Sequence, residues 1–132
     1  MTKTEVKEKW VEALRSGKYE QGTGYLCRDG QYCCLGVLCD VLGIDNKDYP
    51  HTRGAKTYFV DEDDHSSAFG LPRAALELTH LNSTSGRYQK DNGDFSDLIT
   101  NNDEQGMSFS DIADIIESEP QGLFNDTERI AC

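Results

Sequence analysis

Gly24-Tyr-Leu-Cys-Arg-Asp-Gly-Gln-Tyr-Cys-Cys-Leu-Gly-Val-Leu-Cys-Asp-Val-Leu-Gly43 decides the fold of this chain. The stretch holds four of the five cysteines and the only long apolar run. Asp29-Gly30 predicts a β-hairpin, because a two-residue type I′ turn needs positive φ at both central positions. That turn sets Arg28 opposite Gln31, Cys27 opposite Tyr32 and Tyr25 opposite Cys34. Cys27 and Cys34 then share one face at a diagonal, and Cys33 lies on the other. After Cys34 the period changes. Leu35, Leu38, Val41 and Leu42 recur at three and four, which predicts a short buried helix, and Gly43 supplies its C′ stop.

Upstream, Val6, Trp10, Ala13 and Leu14 recur as one face of an amphipathic helix over 4–16. Thr2 and Glu5 have capping-box spacing, Glu5 and Lys9 form a supporting i, i+4 pair, and Gly17 ends the helix. Trp10 is the apolar plug expected to dock on the hairpin and its helix. Downstream, residues 44–55 read as loop, and Thr57-Tyr-Phe-Val60 as a strand rich in aromatic and β-branched residues. Asp61 to Ser67 form a polar loop. Pro72 suits the first turn of a helix carrying Leu76 and Leu78. Residues 82–93 read as a second long loop, and Phe95, Leu98 and Ile99 as a short helix. Ser108 caps a last helix, with Met107 placed to staple against Ile112. Ile112, Ile115 and Ile116 form its stripe, Pro120 and Gly122 end it, and 117–132 read as a loose tail.

The chain of 132 residues fits one domain with a modest core. Apolar residues make up 36% and mean hydropathy is −0.65, so the surface is strongly polar. No run approaches the roughly 18 apolar residues of a membrane span, and the charged N-terminus predicts no secretory signal. The net charge of −11 is uneven. Residues 1–60 carry nine Lys/Arg against eight Asp/Glu, a net of +1, while residues 61–132 carry four against sixteen, a net of −12. Contact with a nucleic-acid backbone through a basic face is therefore disfavoured. An odd number of cysteines without a secretion signal argues against a disulfide framework.

Trp10-Val-Glu-Ala-Leu-Arg-Ser-Gly-Lys-Tyr19, followed by Tyr32-Cys-Cys-Leu-Gly-Val-Leu-Cys-Asp40, resembles a group of small phage and prophage proteins. Members of that group carry a Leu-Pro-led helix in mid-chain, matched by Leu71-Pro72. They close with an Asn-Asp…Gly-x-Ser-Phe-x-x-Ile-Ala-Asp segment, matched by Asn102-Asp103, Gly106, Ser108-Phe109 and Ile112-Ala113-Asp114. The resemblance implies a viral or prophage origin and transfers no catalytic residue.

Five constellations bear on chemistry. Cys33 or Cys34, where strand becomes helix, suits thiolate chemistry, and Cys34-Leu-Gly-Val resembles the nucleophile stretch of NlpC and papain-like peptidases. Such an enzyme needs a His base, for which His51, His65 and His80 are available; the competing reading is a buried structural thiol. The four clustered cysteines lack a Cys-x-x-Cys knuckle, and Asp61, Asp63 and His65 fail the EF-hand pattern at Ser66 and Pro72, so no metal is expected. Gly106 to Ile116 could open a helix-turn-helix, yet no basic recognition helix follows. Asp61 to Asp64, with Asp111, Asp114, Glu117 and Glu119, could imitate a phosphate row, or simply be solvated surface. Finally, Arg53, Lys56, Arg87, Tyr88 and Lys90 lie on or beside the two long loops and could hold a small anionic molecule such as a nucleotide.

These readings predict a small single-domain α+β protein: an N-terminal helix, a β-hairpin running into a buried helix, and further short helices. The expected function is that of a phage-type accessory protein, without catalysis or cofactor, in the cytoplasm of an infected bacterial host. Its partner would be a host (defence) protein that it inhibits, or a small anionic ligand that it sequesters, with neither nucleic acid nor membrane bound. A cysteine-dependent hydrolase is the second reading and an acidic nucleic-acid mimic the third.

Overall fold

The computed structural model describes residues 1–61 and 66–125. Helix α1 (Lys3–Arg15) opens with the predicted capping box. The Glu5 amide donates to Thr2 Oγ1 and the Thr2 amide to Glu5 Oε1, each at 3.2 Å. Val6, Trp10, Val11 and Leu14 form its buried face, and Gly17 follows with φ +76°. Three two-residue strands come next: β1 (Glu20–Gln21), β2 (Cys27–Arg28) and β3 (Gln31–Tyr32). β3 lies in the middle, parallel to β1 and antiparallel to β2. Cys27 faces Tyr32 and Arg28 faces Gln31, as the turn predicts, with Asp29 and Gly30 both at positive φ. The third expected pair, Tyr25 with Cys34, does not form. Cys33 gives its amide to Leu26 O at 3.2 Å, and Cys34 already belongs to the next helix. Helix geometry directs its side chain inward, so the strand alternation that put Cys33 and Cys34 on opposite faces ends there; both are buried.

That helix, α2 (Cys34–Val41), is the centre of the molecule. Cys34 through Cys39 are all buried, as expected of a helix covered on every side. The contact with the hairpin is so close that a Cβ on Gly36 would stand 1.8 Å from Leu26 O. Only glycine allows helix backbone to reach strand backbone at that distance. On another side the Trp10 indole N–H donates to Cys34 O at 2.9 Å, and the ring is fully buried. Trp10 is therefore the plug the sequence predicts.

Residues 44–56 are not simply loop. β4 (Asp45–Asp48) pairs antiparallel with β5 (Lys56–Phe59), Asp45 facing Phe59 and Asp48 facing Lys56. All four residues of β4 are exposed, so the strand carries no apolar alternation that a sequence reading could detect. α3 (Ala75–Thr79) follows Pro72 and buries Ala75 and Thr79, leaving Leu78 exposed. The second loop is also partly a hairpin, β6 (Arg87–Gln89) with β7 (Phe95–Asp97). Phe95 thus sits on an exposed strand, not on a helix. α4 (Leu98–Asp103) starts only after Asp97, whose carboxylate accepts the Thr100 amide at 2.7 Å.

α5 (Phe109–Glu117) has the predicted Ser108 cap, and its Ile112 and Ile116 are fully buried; Ile115 is only partly covered, and Phe109 and Ala113 complete the face. The helix packs on α1. Arg15 binds Asp114 and Glu117 at 2.6 and 2.7 Å, and Lys3 and Lys7 bind Glu119 at 2.8 and 3.0 Å. Residues 120–125 are docked where a loose tail is expected. Leu123 is fully buried, Gln89 donates its amide to Gln121 O at 2.8 Å, and Asn82 Nδ2 donates to Gly122 O and Phe124 O. The rest of that segment, 126–132, lies outside the described residues. The whole is a small α+β fold whose buried apolar residues form one cluster around α2.

Candidate functional site

The cysteines are placed where nucleophilic chemistry is least favourable. Cys27, Cys33, Cys34 and Cys39 are all free and buried. Burial pushes the Cys33 thiol up to about 12 and raises those of Cys34 and Cys39 well above the usual value, because a thiolate there would lose its hydration. Cys34 Sγ instead donates weakly to Leu98 O at 3.6 Å. The imidazoles lie elsewhere: His51 is exposed against the Tyr49 ring, and His80 Nε2 is 2.9 Å from Met1 O. His65 lies outside the described residues. No group of three or more His, Cys, Asp or Glu among the described residues could hold a metal ion.

Three carboxylates of the acidic row, on and just after α5, are occupied. Asp114 and Glu117 are bound by Arg15, and Glu119 by Lys3 and Lys7. Glu62, Asp63 and Asp64 are outside the described residues. Those lysines hold the Glu119 carboxyl below the ordinary range, and the geometry is that of a helix–helix clasp between α1 and α5.

The five residues expected to hold an anion fall on two hairpins. Arg53 is exposed in the β4–β5 turn, and Lys56 Nζ is engaged by Asp48 at 2.6 Å. Arg87 and Lys90 are exposed on and beside β6. Tyr88 is buried, its O–H donating to Asn101 Oδ1 at 2.7 Å, and it forms part of the wall of a recess beside Arg87.

The residues that carry the phage resemblance hold the fold together. Trp10 binds Cys34 O, and Tyr19 donates its O–H to Asp40, with burial first and then that carboxylate raising its pKa to about 12. Asn102, almost fully buried, accepts from Gln21 Nε2 and donates to Gly22 O at 2.8 and 2.9 Å. A binding surface therefore has to be sought outside these motifs.

An exposed aromatic face lies where the ends of β2, β4 and the 67–69 segment meet. Leu26 donates its amide to Ala68 O at 2.8 Å, and both residues are buried. Their neighbours Tyr25 and Phe69 consequently point outward and meet, ring centroids 5.2 Å apart. Tyr49, whose amide is held by Ala55 O, lies edge-on to Phe69 at 5.7 Å and to His51 at 5.2 Å. Arg28 stands over the Tyr25 ring at 5.3 Å, and the Tyr25 hydroxyl lies 3.0 Å from Thr52 Oγ1. Phe69 remains 52% exposed at the middle of this cluster. Beside it, Tyr25 and Arg28 help line a cleft of about 190 Å³. Sequence reading missed this face. Tyr49 and Phe69 lie in polar, turn-rich segments without any period, and only tertiary contact brings them together.

Residues 2–120 match the family described as a domain of unknown function, DUF8296, and the chain belongs to that family. No curated protein and no solved structure matches it.

Proposed function

We propose that this protein is a non-catalytic, phage-type accessory protein that blocks a component of its bacterial host by covering it with the Tyr25–Tyr49–His51–Phe69 face. The observation that carries this reading is Phe69, a large apolar ring left half exposed inside a ring cluster. Clustered exposed rings lose the favourable free energy of burial until a partner covers them. Tyr, Phe and Arg are also the types enriched at interface cores, because they bring large area with little side-chain entropy. Arg28, which stands over the Tyr25 ring and 3.8 Å from Asp29 Oδ2, gives the face a polar edge, so the surface receiving it should be apolar at its centre and polar at its rim.

The hydrolase reading gains no support from sealed thiols, and the mimic reading gains none from carboxylates already bound by Arg15, Lys3 and Lys7. Among the described residues no helix is long and apolar enough to cross a membrane, which agrees with a partner met in solution. The test is tagged expression in a bacterial host with three variants. Phe69→Ala combined with Tyr49→Ala should abolish host-protein capture and any growth phenotype. Cys33→Ala and Arg87→Gln should retain both. Capture that survives the paired aromatic substitution would overturn the proposal.

A further inference from the structure

A second recess, sharing no residue with the aromatic face, has a volume of about 360 Å³ between β6–β7 and the docked 120–125 segment. Part of its wall is a cation–π pair, with the Arg87 guanidinium carbon over the Phe95 ring, 4.4 Å from its centroid. Asp97 stands directly opposite Arg87 in the ladder, yet its carboxylate is turned to the Thr100 amide as a helix cap. Arg87 is left with no carboxylate partner among the described residues, although it is exposed and lies in the acidic half of the chain.

The rim is polar and oriented. Asn82 donates from Nδ2 to Gly122 O at 2.9 Å and to Phe124 O at 3.0 Å, which fixes its amide and turns Oδ1 into the free acceptor. Ser83 Oγ accepts the Arg87 amide at 2.7 Å and keeps its own proton to donate. The exposed Gln121 side chain completes the rim, and Phe95, 58% exposed, supplies an apolar wall.

We infer that this recess binds a small planar organic anion, with the oxyanion on Arg87 and the flat body against the Arg87–Phe95 pair. A guanidinium over a ring keeps N–H donors for a carboxylate or phosphate and offers a planar surface to another π system. Asn82 Oδ1 is then placed to accept a hydrogen bond from a donor on the ligand ring. The recess falls within the size range of small-molecule sites. A polynucleotide is disfavoured by the net charge of −12 over residues 61–132. This site is independent of the protein-binding face.

The experiment is calorimetric titration of the full chain with adenosine monophosphate, 4-hydroxybenzoate and inorganic phosphate. At least one ring-bearing probe should bind ten or more times tighter than inorganic phosphate, on the order expected for a stack added to one charge-assisted contact. A preference for the nucleotide identifies a phosphate ester as the ligand type, and a preference for the benzoate identifies a carboxylate. Arg87→Gln should weaken that binding about tenfold or more, and Phe95→Leu by a smaller factor, while both exposed-site variants keep the wild-type melting temperature. Absence of binding by both ring-bearing probes, equal affinity for inorganic phosphate, or unchanged affinity in Arg87→Gln would each overturn the inference.

Discussion

The cysteine ribbon and the aromatic face grow from the same few residues and end in opposite environments. Leu26 and Cys27 point inward, whereas their neighbours Tyr25 and Arg28 form part of the outer surface. The ribbon concentrates the residue types usually associated with chemistry, yet all four of its cysteines are buried. The face consists of ordinary rings from three separate segments, left outside because their neighbours Leu26, Ala55 and Ala68 occupy the interior. Reactivity follows environment rather than residue type: a thiol needs hydration or a cation to ionise, and a ring needs only exposure to bind.

The largest expected effect tests the inertness of the ribbon. With burial pushing its pKa up to about 12, Cys33 at pH 8 holds far less thiolate than an ordinary cysteine with a pKa of about 8.5. Iodoacetamide followed by peptide mass spectrometry should leave Cys33, Cys34 and Cys39 unmodified in native protein and alkylate all three after denaturation. Rapid native labelling of Cys33 or Cys34 would remove the contrast between the two regions. Next in size, Trp10→Ala should destabilise the protein by about 3–5 kcal/mol in urea unfolding, through the cavity it leaves beside α2 and the lost bond to Cys34 O. A change below about 1 kcal/mol would mean that α2 is not the packing centre.

Gly36→Ala should follow at about 3 kcal/mol, because its methyl meets the Leu26 carbonyl, which cannot turn aside as a side chain could. Full stability in that variant would show that strand and helix are not in backbone contact. The smallest expected effect lies at the α1–α5 clasp. Glu119 has a folded-state pKa below the ordinary value near 4.5, so its contribution is present above pH 4.5 and is lost as pH falls through the folded value. Because the carboxylate is partly exposed, solvent limits this loss to about 0.5 kcal/mol. Comparing Glu119→Gln with wild type in thermal unfolding from pH 6 to pH 3 should show a gap that closes at the acid end. A gap that widens instead would reverse the assignment.

Legibility in the sequence followed the strength of local signals. The capping box at Thr2, the Asp29-Gly30 turn and the Ser108 cap each join residues at most three apart, and all were readable. β4 and β6–β7 were not, since an exposed edge strand such as Asp45–Asp48 owes its form to the ladder of its partner. Of the residues expected to hold an anion, Arg87 keeps that potential in the second recess, while Tyr88 turned inward to Asn101.

What the sequence determined by itself is the interior: apolar positions recurring at three and four after the Asp29-Gly30 turn specify a short buried helix. What only the tertiary structure decided is the exterior, namely which rings meet at Phe69 and that Arg87 stands over Phe95 without a carboxylate partner among the described residues. Interior order is written in periodicity, because burial repeats with the geometry of a helix or strand. Surface constellations join residues distant in the chain, and their proximity is a consequence of packing that no local pattern encodes.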